Sequence, residues 1–160
     1  MKKIIIIRGP LGVGKTTVAK ILSRNLNADY LSLDQILKEN NLESVDGIPL
    51  KNFLTANEII CNLVNNSEKS FIIDGCFYYQ EQIDDLVNKF TNDIEIITLL
   101  SDVEKCIERD SKRPRAYGED STRYVHMITT KIKVGHEINN TDLTAEETVG
   151  MMIHFLSEKV

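Results

Sequence analysis

The sequence predicts an α/β fold in which helices cover both faces of a parallel β-sheet. Three observations carry this prediction: short apolar runs recur, stretches of helical periodicity separate them, and a glycine-rich segment follows the first run. Strands that alternate with helices favour a parallel sheet, because each helix carries the chain back to the same edge. Right-handed crossovers bring the loops after the strands to one edge, where we expect the chemistry.

Five apolar runs predict the strands of this sheet. They are Lys3–Ile7, Tyr30–Leu33, Phe71–Ile73, Ile94–Leu100 and a weaker run around Val134–Ile138. The first is rich in β-branched residues without polar interruption, as expected of a strand that is buried on both faces.

Apolar residues at helical spacing predict four helices between and after these runs. They are Val18, Ile21, Leu22 and Leu26; Phe53, Ile59, Ile60, Leu63 and Val64; Ile83, Leu86, Val87 and Phe90; and Val149, Met152, Ile153 and Leu156. Ser101 with Glu104, and Thr144 with Glu147, have the spacing of a capping box at a helix start. Pro49 fits the first turn of the second helix.

Length and composition bound the class of protein. A chain of 160 residues predicts one domain, and 42% hydrophobic with 27% charged residues is ordinary for a soluble protein. Ile4–Ile7 is the longest apolar run, too short to span a bilayer, and no export signal is apparent. Cys61, Cys76 and Cys106 match no metal-ligand spacing and fit reduced thiols, so we expect a cytoplasmic protein. We also expect a monomer or homodimer. The net charge of −5 disfavours a general nucleic-acid binder.

The segment Gly9–Thr17 matches the complete phosphate-loop pattern G-x-x-x-x-G-K-[ST], between an apolar strand and a helix. Glycines let the backbone N–H groups turn around phosphates, and the helix N-terminus adds a positive dipole end. The alternative, a glycine-rich turn before an unrelated helix, does not explain this context. Lys15 is expected to reach the β- and γ-phosphates, and the Thr16 hydroxyl to bind Mg²⁺. The predicted nucleotide-binding residues of this loop are Gly9, Gly12, Val13, Gly14, Lys15, Thr16 and Thr17.

The third predicted strand ends in Asp74, at the edge where the phosphate loop is expected. An acid there can hold Mg²⁺ directly or through water. The alternative is an Asp that only starts a turn with Gly75. Beside a phosphate loop, the sequence favours the metal role.

The stretch Arg109–Arg115 contains four cations within seven residues of an otherwise acidic chain. Arginines there could close over a triphosphate and neutralise charge in the transition state. The alternative is a solvated basic face. Its position after the fourth strand favours the functional interpretation.

These segments together resemble the P-loop kinases related to adenylate, shikimate and gluconate kinases. The resemblance implies a P-loop three-layer sandwich with a five-stranded parallel sheet in the order 2-3-1-4-5, and ATP with Mg²⁺ as donor. It implies one domain over residues 1–160, with an acceptor-side segment at about 34–66 and a short lid at about 109–123. Lys15, Arg109 and Arg113 would be catalytic, Arg109 would also bind the nucleotide, and Thr141, in the segment Asn140–Thr144, would border the adenine.

By the same resemblance, Asp34 would lie beside the acceptor hydroxyl and orient or deprotonate it. The alternative is that Asp34 or Ser32 caps the helix that begins near Gln35. One side chain could serve both purposes.

The chain departs from this family on the acceptor side. Adenylate kinases carry arginines for the acceptor phosphate and shikimate kinases for a carboxylate, but no Arg occurs between Arg24 and Arg109. Residues 27–68 hold seven acids and two lysines, a net charge of −5, which also disfavours a polynucleotide. Aromatic side chains could offer flat faces to a sugar or base, although core packing explains Phe53 equally well: Phe53, Phe77, Tyr78 and Tyr79.

The sequence therefore predicts transfer of the γ-phosphoryl of ATP to a hydroxyl of a small neutral or cationic acceptor. Two alternatives stay open: a nucleotide-binding regulatory NTPase, and a polynucleotide or nucleotide kinase. The guanine motif of a GTPase switch is absent from the sequence.

Overall fold

The computed structural model describes residues 1–91 and 93–159, and in these ranges it contains five strands and seven helices. The strands are β1 Lys3–Arg8, β2 Asp29–Ser32, β3 Phe71–Gly75, β4 Asp93–Leu100 and β5 His136–Asn139. The helices are α1 Lys15–Asn25, α2 Leu33–Glu39, α3 Leu50–Asn65, α4 Gln80–Lys89, α5 Val103–Ser111, α6 Glu119–Thr130 and α7 Ala145–Glu158. None of these helices is long and apolar enough to cross a membrane.

The strands form one parallel sheet in the order β2-β3-β1-β4-β5, which confirms the predicted fold class and strand order. The register aligns Ser32 at the end of β2 with Asp74 on β3, and Asp74 with Ile7 on β1. The loops after these three strands therefore start at the same edge of the sheet.

Strand β1 is buried on both faces, as its sequence predicts. Ile4 and Ile6 pack in a core formed mainly with α2, α3 and α4. Ile5 and Ile7 pack in the opposite core, formed mainly with α1 and α7. The side-chain alternation of a strand distributes one unbroken apolar run between two helical layers.

The helix starts confirm one capping prediction and correct another. Thr144 and Glu147 exchange hydrogen bonds at the start of α7 and form the predicted capping box. The prediction for Ser101 and Glu104 is wrong, because α5 begins at Val103 with Asp102 in the N-cap position. The Ser101 hydroxyl instead contacts Thr141, on the loop after β5, at 3.3 Å. A tertiary contact has taken the group that a local cap would have used.

Helix α6 was not predicted from the sequence, although it carries Tyr124, Val125 and Ile128 at helical spacing. Its fully buried side chains are Thr122 and Thr129, and Gly118 precedes it with φ of +95°. The predicted lid segment at 109–123 therefore comprises the end of α5, the loop 112–118 and the first turns of α6.

Candidate active site

The phosphate loop connects the end of β1 to the start of α1, as the motif requires. Gly14 is the N-cap of α1 with φ of +92°, and no side chain caps the helix there. The first N–H groups of α1 are thus free of a side-chain partner that would compete with an anion. Gly12 has φ of +76°, and a Cβ there would collide with the carbonyl oxygen of Cys106 on α5. Glycine is required at this point both for its φ and for this close approach.

Lys15 is nearly buried, and its Nζ donates a hydrogen bond to the Pro10 carbonyl at 2.8 Å. Burial by itself would lower the pKa of Lys15, but Cys76, Asp74 and Asp34 together outweigh it and raise that pKa. The ammonium is therefore charged at neutral pH. It lies in a loop where a phosphate group can replace the Pro10 carbonyl as its partner.

Thr16 and Asp74, the two predicted Mg²⁺ ligands, lie side by side. The Thr16 hydroxyl donates to Asp74 Oδ2 at 2.9 Å. Tyr30 on β2 donates its hydroxyl to the same oxygen at 2.8 Å, and burial followed by the Asp74 charge raises the pKa of Tyr30. Within the described ranges no group of three or more His, Cys, Asp or Glu side chains could hold a metal. One hydroxyl and one carboxylate fit Mg²⁺ that keeps several waters and shares phosphate oxygens.

A cavity of about 340 Å³ extends from the phosphate loop toward the segment 140–145. Its far end is closed by Arg109, which donates to the Asn140 Oδ1 at 3.1 Å and to the Asn140 carbonyl at 3.0 Å. Asn140 in turn donates to the Val13 carbonyl at 2.9 Å. Arg109 is thereby held against Asn140, and its Nη1 also donates to the Val13 carbonyl of the phosphate loop at 3.5 Å.

The segment 140–145 borders this cavity through other residues than the predicted Thr141. The Thr141 hydroxyl accepts from the Asp102 N–H at 3.0 Å and donates to Asn139 Oδ1 at 2.8 Å, and Thr141 is not among the lining residues. The cavity is lined there by Asn140 and Leu143, which lie in the segment Asn140–Thr144 predicted to border the adenine, and by Ala145.

The three arginines of the basic stretch have different surroundings. Arg113 lines the 340 Å³ cavity and lies over the Tyr117 ring, 5.3 Å from its centroid. Burial raises the pKa of Asp34, and the charge of Arg113 partly opposes that rise. Arg115 is exposed and has no hydrogen bond or ion pair in the described part of the chain. Arg113 is thus the cation at the boundary between the nucleotide cavity and Asp34.

Asp34 lines a second cavity, of about 600 Å³, on the other side of that boundary. Ser32 caps α2, since its hydroxyl accepts from the Gln35 N–H at 3.2 Å. Asp34 lies in the first turn of α2, and its carboxylate takes no part in the cap. Burial raises the pKa of Asp34, with help from Asp74 and Glu43, whereas Lys15 and Arg113 oppose the rise. The residue nevertheless keeps an exposed surface, which opens into the cavity.

Arg8 belongs to none of the motifs above. It forms hydrogen bonds both to Phe77, which lines the second cavity, and to the end of α6, whose residues also line it. It is fully buried at the end of β1, and its Nε and Nη2 donate to the Phe77 carbonyl at 3.3 and 3.2 Å. Nη2 and Nη1 also donate to the carbonyls of Thr129 and Ile132, at 2.8 and 3.2 Å, at the end of α6. Phe77 has φ of +52°, an uncommon and strained value for a bulky residue. Burial lowers the pKa of Arg8 to about 10, so it stays charged at neutral pH.

Comparison with known proteins adds independent findings. A model of a family described as AAA domain matches residues 4–130. The chain is 27% identical over 139 residues to adenylate kinase of Borreliella burgdorferi, covering 79% of this chain but just 65% of that protein. It is 28% identical over 172 residues to cytidylate kinase of Sulfurisphaera tokodaii, covering 94% of this chain and 92% of that one.

Solved structures with the same fold include a gluconokinase from Sinorhizobium meliloti 1021, with a TM-score of 0.74, 14% identity, and coverage of 98% of this chain and 97% of that one. Another is shikimate kinase from Aquifex aeolicus, with a TM-score of 0.68, 19% identity, and coverage of 98% and 97%. At such identities they show the fold alone. Together with the relatives, they confirm the resemblance that the motifs indicate.

Proposed function

This chain belongs to the AAA domain family, and on that premise we propose that it transfers the γ-phosphoryl of ATP to a hydroxyl of a small acceptor. The observation that carries the proposal is a second cavity beside the first: it is lined by Asp34, on which the charges of Lys15 and Arg113 in the first cavity act. A regulatory nucleotide-binding protein needs just the first of them. A phosphotransferase needs the second, with a carboxylate at the point where the two meet.

The first cavity is proposed as the ATP site. Its N–H groups and Lys15 suit the phosphates, and Arg109 with Asn140 forms the end that would border the adenine. Thr16, with Asp74 directly or through water, would hold Mg²⁺, which neutralises charge on the phosphoryl oxygens when bound. Arg113 is the proposed catalytic arginine, because its position at the boundary lets it stabilise charge on the group in transfer.

Asp34 is proposed to orient the acceptor hydroxyl and to accept its proton. In the step, a bond forms between the acceptor oxygen and the γ-phosphorus, the bond to the β–γ bridging oxygen breaks, and ADP leaves. A raised pKa makes Asp34 a better proton acceptor than an ordinary carboxylate. Because Ser32 already caps α2, helix capping does not account for Asp34.

A nucleotide acceptor is the second candidate, favoured by the names of the relatives, adenylate and cytidylate kinase. The lining of the second cavity argues against it, because that lining contains no Lys, Arg or His to receive a phosphate. The same observation argues against a polynucleotide 5′-hydroxyl.

We further propose that residues 1–160 act as one domain with a lid at about 109–123, as a cytoplasmic monomer or homodimer.

Acceptor-dependent ADP release tests the proposal. The full chain, with ATP and Mg²⁺, is screened against a library of hydroxylated metabolites, nucleoside monophosphates and a 5′-hydroxyl oligonucleotide. We expect at least one small hydroxyl compound to accelerate ADP release and to gain a phosphate by mass spectrometry. Steady ATP hydrolysis that no acceptor changes would favour the regulatory NTPase instead.

A further inference from the structure

The proposed acceptor cavity continues beyond the reach of a compact metabolite. A third cavity, of about 590 Å³, shares five lining residues with the second: Gly47, Ile48, Tyr78, Ser121 and Val125. The two form one groove that runs from Asp34, between the loop 43–49 and α6. A drug-sized molecule occupies a cleft of about 300–1,000 Å³, so the groove has room for a body much longer than a hydroxymethyl group.

The groove is acidic along its whole length. Asp34 and Glu43 line its first part and Asp46 lines its second, while no Lys, Arg or His lines either part. Within the described ranges, none of the three carboxylates forms an ion pair or a side-chain hydrogen bond. Glu43 is close enough to Asp34 to raise its pKa. Among the residues that the structure describes, Glu43 and Asp46 line the groove without an ion-pair partner, whereas the cations that act on Asp34, Lys15 and Arg113, line the first cavity.

The remaining walls are aromatic. Tyr78 packs edge-on against Phe53, with ring centroids 5.5 Å apart, and at a tilt against Tyr79, at 5.3 Å. Tyr117 and Tyr124 lie on the lid side with 50% and 60% of their surfaces exposed. Tyrosine faces attract organic cations through their π-electrons. Arg113 already lies over the Tyr117 ring, which shows this attraction within the chain, and Tyr124 keeps most of its surface exposed.

We propose that the acceptor is an elongated organic cation: its hydroxyl lies at Asp34, and its amine lies toward Glu43 and Asp46 with the tyrosines around its body. The inference rests on the proposed function, which makes this groove the acceptor site. Charge and π-faces favour a cation, whereas an anion would meet three carboxylates without an arginine clamp. A neutral body would gain the aromatic contacts but no ionic ones.

Three probes that differ mainly in charge test the proposal: 4-(hydroxymethyl)benzylamine, 4-methylbenzyl alcohol and 4-(hydroxymethyl)benzoate. Their binding to the full chain, loaded with a non-hydrolysable ATP analogue and Mg²⁺, is measured by NMR titration. We expect the amine to bind at least about fivefold more tightly than the alcohol, and the benzoate to bind most weakly. Glu43→Lys should remove or reverse this order. Glu68→Lys, the same charge change at an exposed residue outside the groove, should leave it intact.

Binding and transfer separate the two claims. Equal binding of the three probes, tightest binding of the benzoate, or no binding at all would overturn the cation proposal. An unchanged order in Glu43→Lys would overturn it as well. Efficient phosphorylation of an anionic acceptor would refute the cation proposal and leave the kinase function standing. Charge-ordered binding with no transfer to any hydroxyl compound would support the cation site and refute the kinase function.

Discussion

The cavity proposed for the nucleotide (the nucleotide side) and the groove proposed for the acceptor (the acceptor side) are lined by opposite charge. The first cavity is lined by Lys15, Arg109 and Arg113 and by no carboxylate, whereas the groove beside it is lined by three carboxylates and no cation. The positive charge of the nucleotide side suits the triphosphate that the phosphate-loop motif predicts. The acceptor side departs from what the names of the relatives would lead one to expect. Under the proposed function, the phosphate-loop motif is the evidence for the donor, and the local charge is the evidence for the acceptor.

The largest expected effect tests the nucleotide side. Lys15→Met removes the charge that lies beside the phosphates and would follow the γ-phosphoryl into the transition state. We expect turnover to fall by at least about 10³-fold, with the fold retained, because Lys15 begins α1 and its ammonium contacts the phosphate loop rather than an apolar core. Lys20→Met, at an exposed lysine of the same helix, is the matched control. Retained turnover in folded Lys15→Met would refute the phosphate-loop assignment.

The next effect separates the three arginines of the basic stretch. Arg113→Ala should lower kcat by about 10³-fold, the lower end of what an arginine contributes to phosphoryl transfer. Arg109→Ala should mainly raise the KM for ATP, since Arg109 is bound to Asn140 at the far end of the cavity. Arg115→Ala should be near wild type. Steady-state kinetics with varied ATP decides between them, and near-native rates in all three variants would make the stretch a solvated face.

Asp34→Asn tests where the two sides meet. We expect transfer to the acceptor to fall by about 10²-fold, with ATP binding nearly unchanged, because asparagine cannot accept the proton. The acid limb of the wild-type rate profile should lie above the ordinary carboxyl pKa, since burial raises the pKa of Asp34. In Asp34→Asn that limb should be absent.

Stability gives the control for Asp34→Asn. A raised pKa means that the folded state holds the Asp34 proton more tightly than the unfolded state. The charged form therefore disfavours folding as pH rises through that pKa, and the Tm of Asp34→Asn at pH 7 should not fall. Ser32→Ala, which removes the cap, should instead cost about 1 kcal/mol and leave transfer intact. Normal transfer by Asp34→Asn would contradict the proposed role.

The two sides also differ in how far the sequence predicts them. Gly9–Thr17 is contiguous, so one local pattern was enough to predict the phosphate loop and, with the strand order, its position beside Asp74. The sequence predicts Arg109 and Arg113 as one charged stretch, but it does not predict that Arg109 bonds Asn140, which is 31 residues away and after β5.

The acceptor groove is formed by segments that are distant in sequence. One of its walls belongs to α6, whose short apolar stripe, with Tyr124, Val125 and Ile128, borders the groove, while its fully buried positions are threonines. Tyr30 and Arg8 gave no signal, because a single polar residue in or after an apolar strand has many uses. Their roles depend on the sheet register, which sets Ser32 opposite Asp74.

Arg8→Met is expected to change the rate of phosphoryl transfer least, but it tests most directly whether the groove and the nucleotide cavity are held separately. Its guanidinium donates to the carbonyl of Phe77, whose backbone φ is strained, on one wall of the groove. It also donates to the carbonyl of Thr129 at the end of α6, on the other wall. Arg8→Met leaves these buried carbonyls without a donor, so we expect a loss of about 1.5–3 kcal/mol of stability.

For activity, we expect Arg8→Met to raise the KM for the acceptor several-fold, while kcat and the KM for ATP change little. The reason is that Phe77 lines the groove, whereas the nucleotide cavity is held by Arg109 and Asn140 without help from Arg8. Arg8→Lys, which keeps the charge and part of the bonding, should recover some stability and part of the acceptor affinity. Urea unfolding and kinetics with varied acceptor and varied ATP measure both effects. If Arg8→Met raised the two KM values equally, the groove and the nucleotide cavity would be one mechanical unit, and the distinction between the two sides would hold for charge alone.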